Sequence, residues 1–249
     1  MAMVALGPKP KFSGVQIQQD LVSNWPSLQV SKFVEEHDGI LSLTFANAGA
    51  FLTHMPAPIP WSDLEGPCAT SIVWPHAERE LRTHDSHLII TVSGELTRIE
   101  LAKLLTQVNA AVLGACSDVI GVYWGSAGLV IPARLFRDFA IKMLPLGLPV
   151  ELWVDFRVGR NAQGLNFGFT QGRSAFGLME IETERASERP GELRERLCSI
   201  ARYLLEKGPI IRDGDTVGQN ANEHIRVVYG PSVFGHKDAV MRLNYEAVI

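Results

Sequence analysis

The sequence is poor in the features that usually announce a chemistry. It has only three cysteines, Cys68, Cys116 and Cys198, odd in number and far apart. That leaves neither a disulfide framework nor a CxxC metal pair, and it fits reduced thiols in a cytosol. No apolar run approaches the roughly 20 residues that a membrane-spanning helix needs. The opening MAMVALGPKPKFSG lacks both a long apolar core and a small-residue cleavage site, so no secretory signal is expected. Basic charge is also short, with 23 Lys and Arg against 27 Asp and Glu and a net charge of −4. Such a chain has no general attraction for phosphate backbones. Its densest basic stretch, Glu192-Leu193-Arg194-Glu195-Arg196, is interleaved with acids as on a solvated helix face. Nucleic acid and membrane are therefore not expected partners. No G-x-S-x-G, P-loop lysine or G-x-G-x-x-G occurs, and there is no internal repeat, coiled coil or low-complexity stretch.

What is present is ordinary globular material. Hydrophobic residues make up 46% of 249, enough to bury a core in one large domain or two small ones. Val4–Leu6 reads as a strand. Ser13 can cap a helix to Trp25 with Val15, Leu21, Val22 and Trp25 near one face. Strands are expected over Val30–Glu35 and Ile40–Phe45, joined through His37-Asp38-Gly39, where Asp-Gly signals a hairpin. Further strands are expected at Ala50–His54 and Leu88–Val92. Thr97 and Glu100 form a T-x-x-E capping box ahead of a helix carrying Leu101, Leu104, Leu105, Val108 and Val112. Val119–Trp124 and Leu129–Ile131 read as strands around a Gly125–Gly128 turn, and Pro132 opens a helix. Behind them, Glu151–Val158 alternates like a strand, with Leu152, Val154 and Phe156 on one face and Trp153 and Asp155 on the other. Leu165–Thr170 and Phe176–Glu182 follow as strands. Gly191–Lys207 reads as an amphipathic helix closed by Gly208. Arg226–Tyr229 and Val240–Tyr245 are late strands. The order predicts an α+β fold of antiparallel or mixed sheets covered by helices. It is read as two closely packed halves, 1–145 and 146–249, sharing a sheet or forming one continuous domain.

Met55–Ser71 (MPAPIPWSDLEGPCATS) is the most distinctive stretch. Pro56, Pro58 and Pro60 alternate and stiffen an extended backbone, and Ser62 with Glu65 matches S-x-x-E. One reading makes Trp61, Asp63, Glu65 and Cys68 the lining of a pocket or partner site. The other makes the stretch a rigid framework element, since capping accounts for the acids. Cys68 would be activated if it lay at a helix start with His54 or His76 as base, and is otherwise a buried thiol. His76, Glu78, Glu80, His84, Asp85 and His87 are dense in potential ligands, and His84-x-x-His87 could contribute to a metal site. His76-Ala-Glu78 lacks the P-C-x-x-C partner of the zinc deaminases. Capping and turn chemistry explain most of these features, so no metal or cofactor is expected. Arg157, Arg160 and Arg173 flank a hairpin loop with Asp155 nearby and could grip an anion or a partner's acids.

WSDLEGPCATS, Val122-Tyr123-Trp124-Gly125, the run Leu152–Asn161 and Asp213–Gly218 together resemble the bacterial family of domain of unknown function 4261. The resemblance runs from about Pro56 to Tyr245, while Met1–Gly14 departs from the family's shape. The family supplies no catalytic residues to carry over. It implies a cytoplasmic bacterial protein, and its members often sit near polymorphic-toxin or type VI secretion genes. That association suggests an immunity protein that neutralises a cognate toxin without catalysis. Its partner surface is expected to centre on aromatic and Arg residues, with Trp61, Asp63, Glu65, Arg157, Arg160 and Arg173. Glu180 and Glu182, with Glu184, are expected to face a basic toxin. The alternative is an enzyme or small-molecule-binding protein with a site near Trp61–Cys68 and His76–His87.

Overall fold

Apolar alternation at both ends of the chain builds two separate sheets, and the chain divides into two units, Met1–Trp153 and Val154–Ile249. Each unit has helices over antiparallel or mixed strands, which makes the class α+β. The structure is a computed structural model that describes residues 1–35, 40–218 and 223–245, with only the backbone described at Val34 and Glu35.

In the first unit β1 (Ala2–Leu6) reads AMVAL and is buried along nearly its whole length. Such a strand belongs inside a sheet, covered on both faces. Helix α1 (Gly14–Asn24) follows Ser13, whose backbone is extended as at an N-cap but whose side chain makes no cap bond. Its buried stripe is Gly14, Ile17 and Leu21, at i, i+3 and i+7, whereas Val15 and Val22 are exposed. The expected face was thus rotated. Gly14 anchors the true one, because a Cβ there would meet Leu41 and Phe33 at 2.2 Å. Strands β2 (Lys32–Glu35) and β3 (Ile40–Thr44) pair antiparallel, as expected of a hairpin; the His37–Gly39 turn lies outside the described residues. Then come β4 (Ala48–Met55), α2 (Trp61–Thr70), α3 (Ala77–Leu81), β5 (Ser86–Gly94), α4 (Arg98–Ala115), β6 (Val119–Trp124), β7 (Leu129–Pro132), α5 (Ala133–Met143) and α6 (Val150–Trp153). The sheet order is β2-β3-β4-β5-β1-β6-β7.

The expected capping box starts α4: Thr97 Oγ1 accepts from the Glu100 N–H, and Glu100 accepts from the Thr97 N–H. This helix is apolar almost all round, as a helix enclosed in a core must be. Gly125–Gly128 is the turn of the β6–β7 hairpin, with Trp124 opposite Leu129. Trp124 packs on Phe136 of α5 on one face of the sheet. Ala5 and Gly121, paired across β1 and β6, face the other way, toward the cluster of Ile59, Leu64, Cys68, Trp74 and Leu81 carried by α2, α3 and their connections.

Arg137 of α5 crosses α4 at Gly114 to reach Asp20 of α1, with both guanidinium nitrogens on the carboxylate at 2.8 and 2.7 Å. A Cβ at Gly114 would stand 2.1 Å from that guanidinium. Gly114→Ala should therefore cost about 1–3 kcal/mol, the usual range for overpacking. A thermal melt checks it: an unchanged Tm would mean the guanidinium can step aside freely.

The strand expected over Glu151–Val158 is not continuous. Val150–Trp153 is a turn of helix, and Leu152, Trp153 and Val154 are all buried, so no alternation exists across them.

The second unit begins with the hairpin of β8 (Asp155–Arg160) and β9 (Asn166–Gln171). A short 3-10 turn follows at Arg173–Phe176, then β10 (Ile181–Ala186), α7 (Pro190–Lys207), β11 (Thr216–Val217), β12 (Ile225–Gly230) and β13 (Val240–Asn244). The strand expected at Phe176–Glu182 starts only at Ile181. Gly172 and Gly177, at φ 113° and 76°, break the extended backbone ahead of it. The sheet order is β11-β12-β13-β10-β9-β8, with β10 and β13 parallel and the other pairs antiparallel. Helix α7 buries Leu193, Leu197, Ile200 and Leu204 as its spacing predicts, and Gly208 closes it at φ 84°. Gly168 of β9 lets it come close, since a Cβ there would meet Leu197 at 2.9 Å. Arg196, expected on a solvated face, is instead 5% exposed. It is held by Glu188, and by Glu223 at 2.6 Å, while Tyr245 donates to Glu188. Arg212–Asp215 is the expected turn, with Gly214 at φ 86° and the Arg212 N–H on Asp215 Oδ2.

Candidate functional site

The proline-rich stretch of the first unit resolves into a strap and a helix. Pro60, not Ser62, is the residue before α2, and no side chain caps that end. Ser62 lies inside the first turn, so the expected capping box is not formed. Two histidines tie the strap down. The Ile59 N–H donates to His84 Nε2 at 2.7 Å, while His84 Nδ1 bonds the Leu81 carbonyl. His87 Nδ1 bonds the Ala57 carbonyl at 2.7 Å. The H-x-x-H pair thus holds backbone instead of standing open as ligands.

Cys68 sits near the C-terminal end of α2, not at a helix start. Burial, with Glu78 adding and Arg82 opposing, pushes its thiol up to about 11, the reverse of an activated nucleophile. Trp61 is half-buried under the guanidinium of Arg82, 3.8 Å from the ring centroid, and Asp63 and Glu65 are exposed beside it. Trp61, Asp63 and Glu65 do sit together at the start of α2. The acids are on its surface and, among the described residues, neither joins a hydrogen-bonded set.

In the second unit the expected partner residues separate. Glu180 is 6% exposed; it accepts from the Thr170 hydroxyl at 2.7 Å, the Gly172 N–H at 2.9 Å and the Ser174 N–H at 3.0 Å. Arg173 is fully buried and donates to the Met179 carbonyl; burial lowers its guanidinium to about 10 against the pull of Glu180. Glu182 is also fully buried. It takes the Ser232 hydroxyl and the Val233 N–H, pinning the segment 231–239 across the sheet. All three side chains are buried and bonded within the unit, so the expectation of an acidic face at Glu180 and Glu182 is corrected. Glu184 is exposed but paired with Arg242 at 2.6 Å. Arg157 and Arg160 point to opposite faces of β8, since residues three apart on a strand alternate.

What the structure gathers around Arg157 is an aromatic face that the sequence reading did not identify. Gly168 faces α7, so Phe167 and Phe169 project from the other side of β9. Phe234, from the pinned segment, stacks on both rings with centroids 5.3 and 4.8 Å away, and His236 meets Phe169 edge-on. Arg157 lies 5.7 Å from the Phe169 ring and bonds Asp155 at 2.6 Å. Burial raises the Asp155 carboxyl above its ordinary value despite that bond. All three rings are half-buried, and Leu165 and Val233 beside them in sequence are 38% and 46% exposed. The signal in the sequence was Phe167-x-Phe169, whose period of two puts both rings on one face.

Part of this face lies in the stretch of the chain with a known likeness: Phe169, Phe234 and His236 fall inside it, and Phe167 and Arg157 before it. Residues 169–244 match the family described as Domain of unknown function (DUF4261). Of the four motifs that carry the resemblance, only Asp213–Gly218 falls inside that span. No curated protein and no solved structure matches the chain. None of the described helices is long and apolar enough to cross a membrane.

Proposed function

We propose that this chain is a non-catalytic bacterial immunity protein of the cytoplasm. It binds and neutralises a cognate type VI secretion or polymorphic toxin through the aromatic face of its second unit. One observation carries the binding role: three stacked phenylalanines with an arginine beside them stay half-exposed on one face, and two of the rings, Phe169 and Phe234, fall in the family-matched region. Aromatic side chains give large contact area for little conformational entropy, and aromatic and arginine residues are enriched among the few that dominate binding energy at protein interfaces. The toxin as partner rests on the family resemblance alone. Of the titratable groups expected to carry an enzyme site, His84 and His87 are spent on the strap and Cys68 is a high-pKa buried thiol. They give the alternative reading, a catalytic or small-molecule site near Trp61–Cys68 and His76–His87, no comparable support.

Co-expression with the product of the adjacent upstream gene tests the proposal. The wild-type chain should rescue growth and co-purify with that product. Phe234→Ala and Arg157→Ala should each weaken the complex by about 2 kcal/mol, the usual size of a hot-spot truncation, with both variants folded by circular dichroism. Rescue that survives both substitutions at wild-type affinity would move the interface elsewhere. Failure of the wild type to rescue or bind would remove the toxin reading.

A further inference from the structure

We propose that His84 and His87 form an acid-sensitive latch that holds the proline strap, and with it helix α2, onto the first unit. The inference concerns the first unit alone and does not depend on the identity of any partner. Its basis is the direction of the two hydrogen bonds. His84 Nε2 is an acceptor, because the Ile59 amide opposite it can only donate. Nδ1 must then carry the ring proton, directed at the Leu81 carbonyl. A second proton can enter only at Nε2, where it would face the Ile59 N–H. The bond is lost and two donors oppose each other in a site where His84 is 6% exposed.

His87, 5% exposed, holds the same strap two residues earlier through Ala57. Its own proton affinity is depressed by burial first, then by His84 and His54, against the raising effect of the Ala57 bond. A folded-state value below the unfolded one means its contribution is complete above about pH 6.5, the ordinary histidine value. It is lost as pH falls through the depressed value.

Among the described residues, the charged surroundings offer no counterion to the imidazoles. On β4 the neighbour is His54, a third imidazole, with Phe12 packed on its ring and Lys11 exposed next to Phe12. On α3, Glu78 is taken by Arg82, and Glu80 by Trp74 Nε1 and Arg79. Asp85, between the two histidines in sequence, is exposed with its carboxylate in solvent, and Asp63 of α2 is likewise at the surface. Acid therefore concentrates positive charge where the strap is tied. The strap carries Ile59, and α2 carries Leu64 and Cys68, all in one buried cluster. Releasing the strap uncovers that cluster.

The intact protein can be labelled with an aromatic dithiopyridine, which reacts with thiols in acid as well as at neutral pH, and the three cysteines resolved by peptide mass. The half-exposed Cys198 of α7 serves as the internal reference for reagent chemistry. Between about pH 7.5 and about pH 5 the ratio of Cys68 to Cys198 labelling should rise severalfold as the strap is released. His84→Gln keeps an acceptor for the Ile59 amide but cannot take up a proton, and His87 still can, so its ratio should rise less than the wild type's. A flat ratio in the wild type, or a rise in His84→Gln equal to the wild type's, overturns the latch. If His84→Gln fails to fold, the wild type decides by NMR: the His84 ring and the Ile59 amide must titrate with one midpoint, and separate midpoints overturn the proposal.

Discussion

Glu180→Ala should cost the second unit about 3–5 kcal/mol, the range for leaving a buried charge without the opposite charge that offsets it. Against a total stability of about 5–15 kcal/mol for a domain, that is enough to leave the unit largely unfolded or marginal. The substitution strips an acceptor from the Thr170 hydroxyl and from the Gly172 and Ser174 amides at once. It also leaves the fully buried Arg173 without the carboxylate that offsets its burial. Each orphaned donor in a buried site adds about 1–3 kcal/mol, although such losses at one centre do not simply sum. Glu180→Gln keeps oxygen and shape but loses the charge, and should fall between wild type and alanine. The double variant Arg173→Met with Glu180→Leu should recover part of the loss, because removing both charges of a buried pair leaves none uncompensated. The probe must be chosen with care. All five tryptophans lie in Met1–Trp153, so tryptophan fluorescence reports the first unit only. Hydrogen exchange of α7 and β9 peptides reads the second unit directly. Wild-type protection in Glu180→Ala would mean that the carboxylate is dispensable, and would reopen Glu180 as a surface group.

Glu180 also shows why part of this molecule could be read from its sequence and part could not. Local rules held where the cause was local. The T-x-x-E box before α4, the leucine spacing of α7, Gly208 at its end and the Gly125–Gly128 turn each depend on residues within a few positions of one another. They appear as expected. The α+β class followed from the same short-range patterns. Surface assignments failed where the environment is set by distant chain. Glu180 and Glu182 sit in a charged-looking run, yet the first is claimed by the Gly172–Ser174 turn and the second by a segment fifty residues on. Arg196 looks solvated on a helical wheel, but Glu188 and Glu223 enclose it. His84 and His87 have ligand spacing, and only the fold reveals that the strap between β4 and α2 returns to occupy their nitrogens. The aromatic face was half legible: Phe167 and Phe169 share a strand face by periodicity, but Phe234 arrives from another part of the chain.

Trp153→Ala should be the most damaging single change in the first unit, at about 3–5 kcal/mol, the usual cost of truncating a buried tryptophan. Read as part of an alternating strand, Trp153 belonged on the face opposite Leu152 and Val154. That pattern requires extended backbone, but Val150–Trp153 is helical, so neighbouring side chains fan around an axis and all three are buried. The indole is completely enclosed, and its N–H donates to Thr106 Oγ1 at 2.8 Å. The Thr106 hydroxyl in turn donates to the Ala102 carbonyl at 2.7 Å, so it is both acceptor and donor inside the helix α4. Alanine removes the ring, leaves a cavity and strands one lone pair. Phenylalanine fills most of the volume and removes only the indole bond. It should cost about 1–2 kcal/mol, the penalty of a lost buried hydrogen bond with modest repacking. Thr106→Val has the converse effect, leaving the indole N–H unpaired. Paired with Trp153→Phe in a double-mutant cycle, it should show a coupling of at least about 0.5 kcal/mol, as contacting residues do. Urea unfolding followed by far-ultraviolet circular dichroism measures the wild type and all four variants. Equal stability of the alanine and phenylalanine variants would mean that packing around Trp153 contributes little, and a vanishing coupling would mean that the indole bond does not form in solution.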